Sequence, residues 1–173
     1  MFEVKSIIFV AGSTLFVAVS LLRRSRHGLY RLLAWESLLV LILVNADHWF
    51  RDPVSPLQLC SWVLLIGSIY LAVEGIRLLR KIGKPRDELE DTTALVEVGA
   101  YKSIRHPLYT SLLLLGWGAF LKDPSLVAAA LSLAASAFLV ATAKVEEKLN
   151  AEKFGSQYAD YMKRTKMFVP YLF

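Results

Sequence analysis

A chain of 173 residues that is 55% hydrophobic and 20% charged, with a mean hydropathy of +0.47, has too much apolar surface for one soluble domain. Its net charge of +5 sits in a few dense stretches, the pattern of basic residues that orient a membrane protein and not of a nucleic-acid-binding face. The lone cysteine, Cys60, excludes an internal disulfide, and His27, His48 and His106 are too far apart for metal-ligand spacing, so no metal is expected.

In chain order, Ser6 to Leu22 is uncharged and closed by Arg23, Arg24 and Arg26; its charges follow the apolar stretch without a small-residue cleavage site, so it is read as an uncleaved first helix. Leu32 to Ala46 carries one charge, Glu36, an acid that must face protein or water. Leu57 to Val73 is uncharged and runs on through Glu74 and Arg77, an i,i+3 pair, to Leu79. Pro107 to Leu121 and Pro124 to Ala143 are the fourth and fifth apolar runs. Crossing the hydrocarbon takes roughly 17–20 helical residues, and the two shorter runs draw on interfacial flanks to reach that length.

The expected fold is all-α: a polytopic membrane bundle of about five spans. It is expected to form a single membrane domain over 1–173, with a two-helix hairpin over 1–56 and a core over 57–173. Gly116 and Gly118, in Gly-Trp-Gly, suit close helix packing. After the fifth run, Val145, Leu149, Phe154, Tyr158, Tyr161 and Met162 recur near helical spacing around Gly155. That pattern predicts an amphipathic C-terminal helix, either a plain interfacial anchor or the roof of a cavity. Seventeen of the twenty Lys and Arg fall in the 23–31, 77–105 and 144–173 segments; only Lys5, Arg51 and Lys122 fall in the other set. The positive-inside rule then predicts the N-terminus outside, the C-terminus in the cytoplasm, and both long polar segments on the cytoplasmic face.

Those two segments hold the residues with chemistry. Arg105-His106 directly precedes Pro107, which suits the first turn of a helix, so backbone N–H groups, the helix dipole and a guanidinium converge where a carboxylate or phosphate could sit. Glu146-Glu147 follows the fifth run on the same face. An acid pair opposite a basic pair suits a zwitterion, whereas a basic anchor and a solvated acidic face are the plainer alternatives.

The combination Gly99-x-Tyr101-x3-Arg105-His106-Pro107-x-Tyr109, then Glu146-Glu147 and Phe154-Gly155-x2-Tyr158-x2-Tyr161, resembles the integral-membrane methyltransferases. These include isoprenylcysteine carboxyl methyltransferase and the phospholipid N-methyltransferases. The resemblance covers about residues 75–170 and implies S-adenosylmethionine as methyl donor, with a lipid or amphiphilic acceptor in the bilayer and no nucleic acid. It places donor contacts on Leu95 and Val96, through backbone, and on Tyr101, Arg105, His106, Pro107, Tyr109 and Glu146. Arg105, Glu146 and Glu147 are the charged groups it implies at the reaction centre. Two positions depart from the carboxyl methyltransferases: Thr93 stands where they often have His, and Thr142 where they carry an Arg thought to contact the prenylcysteine. Thr142 is therefore expected at the acceptor site, with an acceptor that has no free carboxylate. Two other readings stay open: an NADPH-dependent reductase of the sterol-reductase type, which shares an Arg-His-Pro-x-Tyr stretch, and a non-catalytic scaffold of the same fold.

Overall fold

The computed structural model describes residues 2–22, 28–86, 89 and 91–171, so Arg23, Arg24, Arg26 and His27 lie outside the described residues. Six α-helices account for most of what is described: α1 (Phe2–Leu22), α2 (Gly28–Val44), α3 (Pro56–Leu78), α4 (Pro107–Phe120), α5 (Leu126–Phe154) and α6 (Ser156–Arg164). Among the described residues there is no strand, only isolated bridges between Pro85 and Thr92 and between Ile104 and Lys166. The molecule is an all-α polytopic bundle. By length and composition, three helices can cross a membrane: α1, α3 with its continuation to Gly83, and α5; α4 is a shorter apolar helix. α2 has 17 residues and carries Arg31 and Glu36.

Helix starts follow local chemistry. Ser55 precedes α3, and its hydroxyl accepts from Gln58 N at 3.4 Å; Ser125 does the same for α5 through Ala128 N at 3.2 Å. Pro56 and Pro107 open α3 and α4, where a missing N–H costs nothing. The fifth apolar run ends near Ala143, but α5 continues unbroken to Phe154, so Glu146, Glu147 and Asn150 sit on regular helix.

The chain groups into two compact units. The first combines residues 1–65 with 113–145. Here the Ser13 hydroxyl of α1 donates to Glu36 Oε2 of α2 at 2.7 Å, giving the acid in the second run its polar contact. Leu41, Ala119 and Ala128 are fully buried together, and glycine allows the approach: a Cβ on Gly116 would lie 2.9 Å from Leu38 Cδ2 and one on Gly118 3.0 Å from Leu65. One end of this unit is closed by amides. Asn45 Nδ2 donates to Ala119 O (2.8 Å) and Asp123 O (3.3 Å), and Gln58 Nε2 to Lys122 O (3.0 Å). Lys122 is buried, its Nζ donating to Gln58 Oε1 at 2.9 Å and lying 3.4 Å from the Trp62 ring centroid, a cation held by an amide and an aromatic face.

The second unit combines residues 66–112 with 146–173. Its α3 ends in a single π-turn, Leu79–Gly83, and Lys84 adopts the left-handed conformation (φ 46°, ψ 66°) that reverses the chain. Thr93 N and Ala94 N then donate to Gly83 O (2.7 and 3.2 Å), and the Thr93 hydroxyl adds bonds to Gly83 O and Lys84 O. These bonds lay residues 92–96 against the end of α3, so Leu78, Leu79, Val96 and Tyr101 form a buried core.

Candidate functional site

A cavity with about 510 Å3 of space not filled by atoms, its open mouth included, lies within the second unit. The end of α3, the 92–101 loop, the start of α4, the end of α5 and α6 all line it. Of the residues expected at the site, Leu95, Val96, Tyr101, Arg105, His106, Tyr109 and Glu146 line the cavity.

The charged groups form a connected cluster. Arg105 Nε donates to Glu147 Oε1 at 2.6 Å, while one terminal nitrogen donates to Thr165 O (2.6 Å) and Met162 O (3.4 Å) at the end of α6. Both side chains are nearly buried, at 9% and 11% exposure, so the pair is a bridge between α5, the start of α4 and α6. His106 lies between the two acids: Nε2 is 3.4 Å from Glu147 Oε1 and Nδ1 is 3.8 Å from Glu146 Oε2. Its ring stacks on Tyr109 (centroids 5.5 Å apart) and tilts against Phe168 (6.0 Å).

The two backbone N–H groups just ahead of Pro107 have internal partners. Arg105 N donates to Lys166 O (2.8 Å) and His106 N to Met167 O (3.2 Å). A C-terminal strap, residues 165–168, thus runs beside the start of α4. Thr110 Oγ1 donates to Phe168 O, and the Phe168 ring is fully buried. Pro107 is fully buried too and starts the helix without lining the cavity. Glu147 lines no part of the cavity and contacts Arg105 and His106, which do. Thr142 belongs to the other unit; it is fully buried and its hydroxyl donates to Phe138 O at 2.8 Å, one turn back on α5. Thr93 caps the end of α3 and does not line the cavity, whereas its neighbour Thr92 does.

Sequence reasoning left several walls unassigned. Asn150 lies one helical turn beyond Glu146 on α5, a spacing that puts both on one face, and its side chain stands beside the Tyr158 phenol. Phe154, Tyr158 and Tyr161 continue the lining, each three or four residues after the last, so the amphipathic tail is a roof. The Tyr161 hydroxyl donates to Tyr101 O at 2.6 Å, fastening that roof to the loop below. Burial, with the Glu147 carboxylate nearby, pushes the Tyr158 phenol above the usual tyrosine range; burial does the same for Tyr161, so both remain neutral donors. Among the described residues no cluster of His, Cys, Asp or Glu is arranged to hold a metal ion.

Cavity walls of Leu, Val and Tyr with one charged corner that holds both acid and base suit a ligand that joins a flat aromatic group to a zwitterion. Comparison with known proteins identifies the family. The family model described as phospholipid methyltransferase matches residues 57–157. Methanethiol S-methyltransferase 2 of Bradyrhizobium diazoefficiens is 37% identical over 75 residues, 42% of this chain. The matched stretch spans about a quarter (27%) of that relative's length.

Proposed function

Because the chain belongs to the phospholipid methyltransferase family, we propose that it moves the methyl group of S-adenosylmethionine to a lipid or other amphiphilic acceptor at the cytoplasmic membrane face. The observation that carries this reading is the single cavity lined by Arg105, His106 and Glu146 at one corner and by Tyr101, Phe154 and Tyr158 elsewhere. Glu146 suits an ammonium or ribose hydroxyls, the Arg105 and His106 corner suits a carboxylate, and the aromatic walls suit an adenine face. The donor, when bound, supplies an electrophilic methyl group on a sulfonium.

The protein's part is alignment and dryness. Methyl transfer is an in-line displacement, and holding both reactants at a near-attack distance is worth several kcal/mol of barrier. Buried tyrosines in the lining limit the water that can compete. The named relative's thiol acceptor makes a thiol worth testing beside an amine lipid. A phosphorylated nicotinamide is disfavoured, since Glu146 and Glu147 would oppose its phosphates.

Calorimetry of the purified protein with S-adenosylhomocysteine and, separately, NADPH tests the reading. Binding of the first alone is expected; binding of NADPH alone would establish the reductase alternative, and binding of neither the scaffold. Glu146→Gln should weaken S-adenosylhomocysteine by about 1.5–3 kcal/mol, the scale of a hydrogen bond to a charged group.

A further inference from the structure

We infer that His106 is the base that removes a proton from the acceptor, and hence that the acceptor's nucleophile carries an N–H or S–H; this rests on the methyl-transfer reading above. His106 lines the cavity with 5% of its surface exposed, and its plane is fixed by Tyr109 on one side and Phe168 on another. Glu147 Oε1 stands 3.4 Å from Nε2 and is itself held by Arg105 at 2.6 Å. An acid behind one ring nitrogen, anchored by a third group, is the arrangement that orients an imidazole for proton transfer. Nε2 makes no well-formed hydrogen bond, so a hydrogen there is drawn toward Glu147 by charge alone, which leaves the Nδ1 lone pair on the side of Glu146, whose Oε2 is 3.8 Å away, too far for a direct hydrogen bond.

Every charged or titratable neighbour can be named. Glu146 and Glu147 face the ring from α5, Arg105 adjoins it, Tyr109 stacks on it from α4, and Tyr158 and Tyr161 of α6 line the same cavity. The strap contributes Phe168, which does not titrate. The imidazolium formed on proton uptake sits between two carboxylates, opposed by one guanidinium. A resident anion as acceptor would need no base; an ammonium or a thiol does. His106 Nδ1 takes the N–H or S–H proton, the lone pair left on that atom bonds to the methyl carbon as the methyl–sulfur bond breaks, and the bonding electrons stay on the donor's sulfur. The proton then leaves His106 for water at the cavity mouth.

The test uses the full chain in nanodiscs, with phosphatidylethanolamine as the amine probe and octanethiol as the thiol probe. His106→Gln should lower kcat/KM for the accepted probe by ~100-fold or more, a typical general-base contribution, and abolish the acid limb of the pH profile. Its S-adenosylhomocysteine Kd should rise by far less than kcat/KM falls, because Arg105 and Glu146 share the donor contacts whereas proton removal falls to the ring alone. A loss of that affinity matching the loss of activity, or an unchanged pH profile, would overturn the assignment. Ring 15N NMR on the parent with S-adenosylhomocysteine bound gives a readout independent of turnover, assigned by its absence in His106→Gln. A neutral ring with hydrogen on Nε2 that gains its second proton at Nδ1 is expected; a ring that does not titrate, or carries its hydrogen on Nδ1, is contrary. A parent that binds S-adenosylhomocysteine yet methylates neither probe would overturn this inference while leaving the donor site standing.

Discussion

Arg105 makes a permanent charge part of the frame of the cavity it lines. Its Nε bond to Glu147 and its bonds to the Thr165 and Met162 carbonyls tie three segments together from a nearly buried position. Arg105→Ala would strand Glu147 without its main partner, and breaking a buried pair from one side typically costs about 3 kcal/mol. Denaturant unfolding of the variant in detergent should show a loss on that scale, with donor-analogue binding falling alongside it. Arg105→Lys, which keeps the charge without the planar fork, should recover only part of the loss. Tyr161 offers a second test, because its hydroxyl bond to Tyr101 O is worth about 1 kcal/mol in Tyr161→Phe. The pH dependence follows from the same burial. The folded phenol holds its proton to higher pH than the unfolded one, whose value is near 10.0, so above that point the unfolded state binds fewer protons. The stabilisation is complete below pH 10 and is lost as pH rises beyond it. An alkaline titration of the unfolding free energy should therefore fall above pH 10, and less steeply in Tyr161→Phe.

At the scale of elements, the break between α5 and α6 depends on one residue. Gly155 holds φ 55° and ψ −128°, a region closed to residues with a Cβ, and no atom lies within 4 Å of where one would be. Gly155→Ala should thus cost roughly 1–3 kcal/mol from backbone strain alone, with no clash to relieve. Limited proteolysis at Lys153 should quicken in the variant; unchanged rates would show that the turn tolerates the methyl. The helices were legible in the sequence because long apolar runs and a 3.6-residue period survive any tertiary context: Leu57 onward gave α3, and Phe154, Tyr158 and Tyr161 gave the roof. The cluster of Arg105, His106, Glu146 and Glu147 was also readable, as charges that need partners at a membrane edge. Other features were not. The π-turn at Leu79–Gly83, the Thr93 cap and the 165–168 strap rest on backbone carbonyls meeting residues from 9 to 63 positions away or on a local change of helical pitch. Such bonds have no periodic signature. The strap pairs with the Arg105 and His106 N–H groups just ahead of the start of α4, a contact with no trace in the sequence.

At the scale of the whole molecule, the first unit gathers the minority charges. Lys5 at the start of α1 pairs with Asp47 at 2.8 Å, and Asn45 bonds the carbonyls of Ala119 and Asp123, so one end of the unit holds the N-terminal turn of α1, the turn after α2 and the turn after α4. Lys5, Arg51 and Lys122 all belong to these three segments. Two of them are further muted, Lys5 by its ion pair and Lys122 by Gln58 and the Trp62 face. The second unit separately gathers the basic segments after α3 and after the apolar part of α5. The positive-inside rule sets an expectation for each of two positions: Val54, beside the minority charges, outside, and Ser156, among the basic tail residues, in the cytoplasm. Single cysteines on a Cys60→Ala background test this. Val54, 79% exposed in the turn after α2, and Ser156, exposed at the start of α6, are suitable positions. In intact cells a membrane-impermeant maleimide should label Val54→Cys at once and Ser156→Cys only after permeabilisation. The reverse pattern would invert the topology and put the cavity outside, away from any cytoplasmic methyl donor; labelling of both in intact cells would mean an even number of crossings between them.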